Sequence, residues 1–262
     1  MIRGTRHLPA PDGAGDGGRM PLLAHLSELR RRVTICAIAV AVAGIAGFAM
    51  SDLVIAAAAE PLRHLQGPSL TGLNFTRIGE AFDLRFKIAL ALGIVLAAPV
   101  WIFEGWAFLV PGLTSRERRA GLLFVATAVP LFFGGVAFGW MVVPQIVTLL
   151  AGFAPAGSTT MLTASQYFDF LLKLVVGVGL SFVSPLVLIA LNAVGVLSGR
   201  TIVRGWRVAL VVIIVFSAAV TPPADLLSML VIALPLCALY AGSAVWTWLH
   251  DRRVERRNRS ES

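Results

Sequence analysis

Three polar stretches interrupt a largely apolar sequence, and they hold the residues best suited to recognition chemistry. The first is His25-Leu26-Ser27-Glu28-Leu29-Arg30-Arg31-Arg32. On a helix Leu26 and Leu29 share a face while Glu28 and Arg30 point elsewhere. An interfacial helix anchored to anionic lipid explains the arginines. It leaves Glu28 unexplained, because a carboxylate weakens such an anchor. The second runs from Trp106 through Phe108, Pro111 and Gly112 to Thr114-Ser115-Arg116-Glu117-Arg118-Arg119. Thr114 or Ser115 suits a helix cap, and Glu117 suits the positive end of the helix dipole. Capping therefore accounts for Glu117 as fully as binding does. The third is the turn Thr221-Pro222-Pro223-Ala224-Asp225, where Asp225 reads first as the cap of a following helix.

Composition decides where these stretches sit. Apolar residues make up 57% of the 262-residue chain and charged residues 14%. Soluble domains carry about a quarter charged residues, so this chain belongs in a bilayer. The net charge of +8 does not point to nucleic acid, because the arginines lie in short segments between apolar runs rather than on one folded polar surface. Cys36 and Cys237 both fall within apolar runs and form no CxxC or Cys/His spacing, so neither metal nor cofactor is expected. Residues 1–19, rich in Gly, Pro and Asp, read as a disordered extension without the order of a secretory signal. Met20 opens the better-formed part. No Walker loop, HExxH or GxSxG motif occurs, so an enzyme is not expected.

The elements that position the polar stretches are membrane spans. A helix needs about 20 apolar residues to cross the hydrocarbon core. Six segments qualify or nearly so: Val33–Met50, Ile88–Val110, Ala120–Val143, Phe170–Leu191, the short Val208–Val220, and Leu226–Leu249. Residues 20–249 thus read as one all-α, six-span membrane domain, followed by a charged tail at 250–262. The segments before the first span, after the second and fourth, and after the sixth hold 17 of the 22 lysines and arginines. Positive charge is retained in the cytoplasm, so both termini are expected there. Pro99, Pro130, Pro185 and Pro235 fall within spans and are expected to bend them, in keeping with a kinked, concave bundle.

The stretches HLSELRRR, GWAFLVPGLTSRERR and TPPADLLSMLVIALP, in this order, resemble the TatC family of the twin-arginine protein translocase. Glu60-Pro61-Leu62, Glu80-Ala81-Phe82 with Lys87, and the Pro185 region are similar too, so that the resemblance runs from about Met20 to Leu249. It implies a receptor for twin-arginine signal peptides. Such a receptor is the core of a bacterial inner-membrane translocase that exports folded proteins on the proton-motive force. Its implied partners are TatA- and TatB-like single-span proteins, further copies of itself and lipid. The resemblance assigns signal-peptide binding to Glu28, Arg30, Glu117, Phe108 and Pro111, with Glu104, Asp225, Pro61 and Lys87 as accessory positions. A guanidinium pair calls for planar acceptors that take two hydrogen bonds each, which carboxylates supply. Arg30 would orient a glutamate or limit repulsion between the acids. The chain departs from the family pattern at Val183, Met229 and Ala241, where polar residues are usual. A diverged paralogue without translocation activity is one alternative. A small secondary transporter is another, although no inverted repeat or polar mid-membrane break supports it.

Overall fold

Among the residues described by the computed structural model (22–64, 78–109, 115–151, 163–221 and 226–260), all nine elements are α-helices. A chain in lipid must satisfy its own backbone groups, and a helix does so within one segment. Helix α1 spans Leu22–Ala49, α2 Ser51–His64, α3 Glu80–Leu96, α4 Ala98–Leu109 and α5 Ser115–Ala151. Helix α6 follows at Ala164–Ala193, then α7 at Gly199–Arg204, α8 at Trp206–Val220 and α9 at Leu226–Ser260. The N-terminal extension, Pro111 and Asp225 with its turn lie outside the described residues.

Four segments are long and apolar enough to cross a membrane: Leu26–Ala49, Gly121–Leu149, Ala164–Ala193 and Leu226–Arg253. A fifth arises if α3 and α4 count as one span, and α8 is a shorter apolar helix of 15 residues. At 1.5 Å per residue α8 reaches only about 22 Å. Two expectations change. The amphipathic stretch at His25–Arg32 is not a separate interfacial helix but the opening turns of α1. The second span is not one helix, because α3 and α4 meet at Ala97 with a 57° bend. Pro99 stands two residues after that break, as expected of a proline that cannot bond the Val95 carbonyl and crowds it. It occupies the first turn of α4, where the missing N–H has no helical partner to lose. The Trp101 indole Nε1 donates to the Ile94 carbonyl at 2.9 Å, satisfying an acceptor at the end of α3. Pro130, Pro185 and Pro235 lie inside unbroken helices, as does Pro144, beyond the expected end of the third span.

Close packing fixes the helix directions. A Cβ on Gly93 would stand 2.7 Å from the Val40 carbonyl, and one on Gly47 would stand 2.9 Å from that of Ala89. Rising numbers on α1 thus meet falling numbers on α3, and the two run antiparallel at backbone contact. Helices α5 and α6 pair likewise, Gly135 against Gly179 and Gly139 against Val175. One core cluster joins Ile88, Phe168, Leu171, Leu174 and Ile232, all at most 2% exposed. A second joins Ala98, Ile102, Ala128, Phe132 and Val183. Val183 is therefore part of an apolar contact, which explains why an apolar residue is tolerated there.

The two ends of the bundle carry different polar ties. At one, Arg85 pairs with Asp52 at 2.6 Å, Lys87 pairs with Asp169 at 2.9 Å, and the Tyr167 hydroxyl donates to the Ala58 carbonyl at 2.7 Å. At the other, the start of α1 meets the middle of α4. There too Asp251 of α9 accepts from Asn192 at 3.0 Å and from the Gly199 amide at 2.6 Å.

Candidate functional site

The start of α1 presents Glu28 and Arg32 four residues apart, the spacing at which helical side chains meet. Arg32 donates to Glu28 Oε1 through Nε at 3.1 Å and Nη2 at 2.6 Å. Its Nη1 donates to Glu104 Oε2 at 2.8 Å, across a separation of 72 residues. One guanidinium therefore bridges two carboxylates, one from α1 and one from the middle of α4. These side chains are partly sheltered, at 20% exposure for Arg32, 26% for Glu28 and 15% for Glu104. Charge-assisted bonds of this kind are short and directional, and the planar fork of arginine fixes both distance and tilt.

Of the residues expected to form a site, Glu28 and Glu104 are brought together. Arg30 is not part of the link. It is exposed, and the cation that orients Glu28 is Arg32. Two residues of helix rotate a side chain by about 200°, so Arg30 cannot share the Glu28–Arg32 face. The (i, i+4) spacing was the signal for Arg32, masked by three consecutive arginines. Phe108 is half-buried, one turn beyond Glu104 on α4. Glu117 lies in the first turn of α5, with its side chain outside the described set. Pro61 lies in the last turn of α2, its side chain likewise not described. Lys87 is held at the opposite end of the bundle by Asp83 at 3.0 Å and Asp169 at 2.9 Å, away from Glu28.

Two further residues fix the α4–α5 corner. Trp106 is buried and stacks on Phe124, with centroids 4.4 Å apart and planes 21° from parallel. A Cβ on Gly121 would lie 2.4 Å from Trp106 Nε1, so the indole rests on the bare backbone of α5. Glu117 is one turn before Gly121, which puts its Cα on the stripe of α5 that faces α4. Sequence reading singled out neither residue for this role; a Trp facing a Gly across a short loop was the available hint. Among the described residues no group of His, Cys, Asp and Glu is arranged to hold a metal ion.

The arrangement can bind cations through prealigned carboxylates.

Comparison with known proteins gives this geometry its context. Residues 24–235 match the family described as Sec-independent protein translocase protein (TatC). The Sec-independent protein translocase protein TatC of Xylanimonas cellulosilytica is 42% identical over 255 residues, 95% of this chain and 90% of that one. The chloroplastic TATC of Arabidopsis thaliana is 34% identical, over 90% of this chain and 68% of that one. A crystal structure of the twin-arginine translocase receptor TatC superposes with a TM-score of 0.75 at 30% identity, covering 86% of this chain and 98% of that one.

Proposed function

Since this chain belongs to the TatC family of Sec-independent protein translocase proteins, we propose that it is the signal-peptide receptor and core membrane subunit of a twin-arginine translocase, not an enzyme. The observation that carries this reading is the Glu28–Arg32–Glu104 bridge, a pair of carboxylates held ready at one end of the bundle. Glu117, on the α4-facing stripe of α5, extends the acidic surface, and Phe108 and Pro111 contribute to signal-peptide binding beside it in sequence. Arg30 contributes positive charge at the rim rather than orienting Glu28. Asp225, Pro61 and Lys87 act as accessory positions.

In this reading α1, the bent α3–α4 pair, α5, α6, α8 and α9 are six spans of a concave bundle in the bacterial inner membrane. The arginine-bearing ends of α1, α5, α7 and α9 lie in the cytoplasm with both termini. TatA- and TatB-like single-span proteins and further copies of the chain complete the assembly, and the proton-motive force drives export. Residues 20–249 act as one membrane domain, flanked by the extension at 1–19 and the tail at 250–262.

Export of a folded reporter tests it. In cells lacking their own TatC, this chain with its cognate partners is expected to export a reporter carrying an Arg-Arg signal. It should not export one carrying Lys-Lys, and Glu28→Ala and Glu117→Ala should each abolish export. A chain that reaches the membrane at normal level yet exports nothing would instead identify the diverged paralogue. That second reading draws support from Val183, whose place in an apolar cluster offers no polar contact.

A further inference from the structure

The contact between α1 and α4 sets one cation against two anions. Arg32 spends Nε and Nη2 on Glu28 Oε1 and Nη1 on Glu104 Oε2. A guanidinium is a rigid plane, so it sets the mutual tilt of the carboxylates as well as their spacing. With both acids ionised the trio keeps one uncompensated negative charge. Partial burial limits screening by salt, while 15–26% exposure leaves the group within reach of a ligand. Arg30 and Arg31, both exposed, take no part in the bridge.

We propose that Arg32 is a positioning residue that makes this receptor prefer a guanidinium to an ammonium. It holds Glu28 and Glu104 as a single acceptor short of one cation. The inference rests on the signal-peptide-receptor reading above. An incoming arginine supplies the missing charge and meets two carboxylate planes already aligned for forked hydrogen bonds. A lysine supplies the same charge as a point, and gains nothing from the alignment. Removing the alignment while keeping the acids should therefore erode selectivity rather than binding as a whole.

The test uses the full chain in membrane vesicles and two signal peptides that differ only in Arg-Arg against Lys-Lys, each carrying a photoprobe. The half-saturating concentration for adduct formation gives a selectivity ratio for each variant. Arg32→Lys keeps the charge and loses the fork, and Arg32→Gln loses both. Each is expected to lower the Arg-Arg over Lys-Lys ratio about tenfold, the scale of one charge-assisted bond. The Lys-Lys peptide should change little in Arg32→Lys and bind more tightly in Arg32→Gln, which leaves two uncompensated charges. Glu104→Gln keeps size and an acceptor but neutralises the trio, so both peptides should weaken. Where Arg32→Gln fails to accumulate in the membrane, Arg32→Lys carries the test. Full selectivity in Arg32→Lys, or an equal loss for both peptides, would overturn the role given to Arg32. A native chain with no selectivity at all would defeat the receptor reading instead.

Discussion

At the scale of single residues, the site depends on which cation faces which acid. Glu28→Ala removes two of the three bonds that Arg32 makes and leaves Glu104 as its one partner in the bridge. Truncating one member of a hydrogen-bonded charge group costs about 2–5 kcal/mol in binding, so affinity for an Arg-Arg signal peptide should fall at least about tenfold. Arg30→Ala, on the exposed face, should change it by less than about threefold, because exposed charges are well screened. Titration of labelled peptide against vesicles distinguishes the two; equal losses would contradict the geometry. Glu28 was legible in the sequence because a carboxylate among arginines is out of place at a lipid anchor. Arg32 was not, since the choice among three adjacent arginines depends on α1 running unbroken through them. Glu104 stood out by its type alone, and only the fold shows that it meets Glu28.

At the scale of helices, the acids are placed by two features of very different visibility. The antiparallel α1–α3 contact was hidden, because a glycine in an apolar run gives no sign of the helix it touches. Gly93→Ala forces a Cβ to 2.7 Å from the Val40 carbonyl, a backbone atom that cannot turn aside. Overpacking of this kind costs about 1–3 kcal/mol, and the variant should melt earlier in detergent. An unchanged melting temperature would show that α1 and α3 are less closely joined. The break at Ala97 was legible in part, since Pro99 two residues on marks a bend, but not that the bend reaches 57° and divides the span. Trp101→Phe keeps the ring that packs edge-on against Phe132 at 5.2 Å but loses the bond to the Ile94 carbonyl. A loss of about 1 kcal/mol is expected from one hydrogen bond of this sort. Apolar run lengths, by contrast, located four helices long enough to span. The second run is a bent pair, the fifth is only 15 residues long, and α5 and α9 extend into charged sequence.

At the scale of the whole molecule, the helix directions put the start of α1, the end of α4 and the end of α9 at one end of the bundle, and Asp52, Lys87 and Asp169 at the other. Charge counting expects the arginine-bearing end to face the cytoplasm, because cytoplasmic segments retain positive charge. In a chain with Cys36 and Cys237 replaced by alanine, a cysteine at exposed Ile78 should react with an impermeant reagent added outside intact cells. A cysteine at exposed Arg253 should react only after the cells are opened. The reverse pattern would invert the topology. The most direct measurement of all is photocrosslinking of the full chain in its membrane to a signal peptide with its probe beside the two arginines. Adducts should map to the first turns of α1 and the α4–α5 corner, and should fade with Glu28→Ala, with Glu117→Ala and with a Lys-Lys signal. Adducts at the Lys87 end, or labelling indifferent to all three changes, would contradict the account.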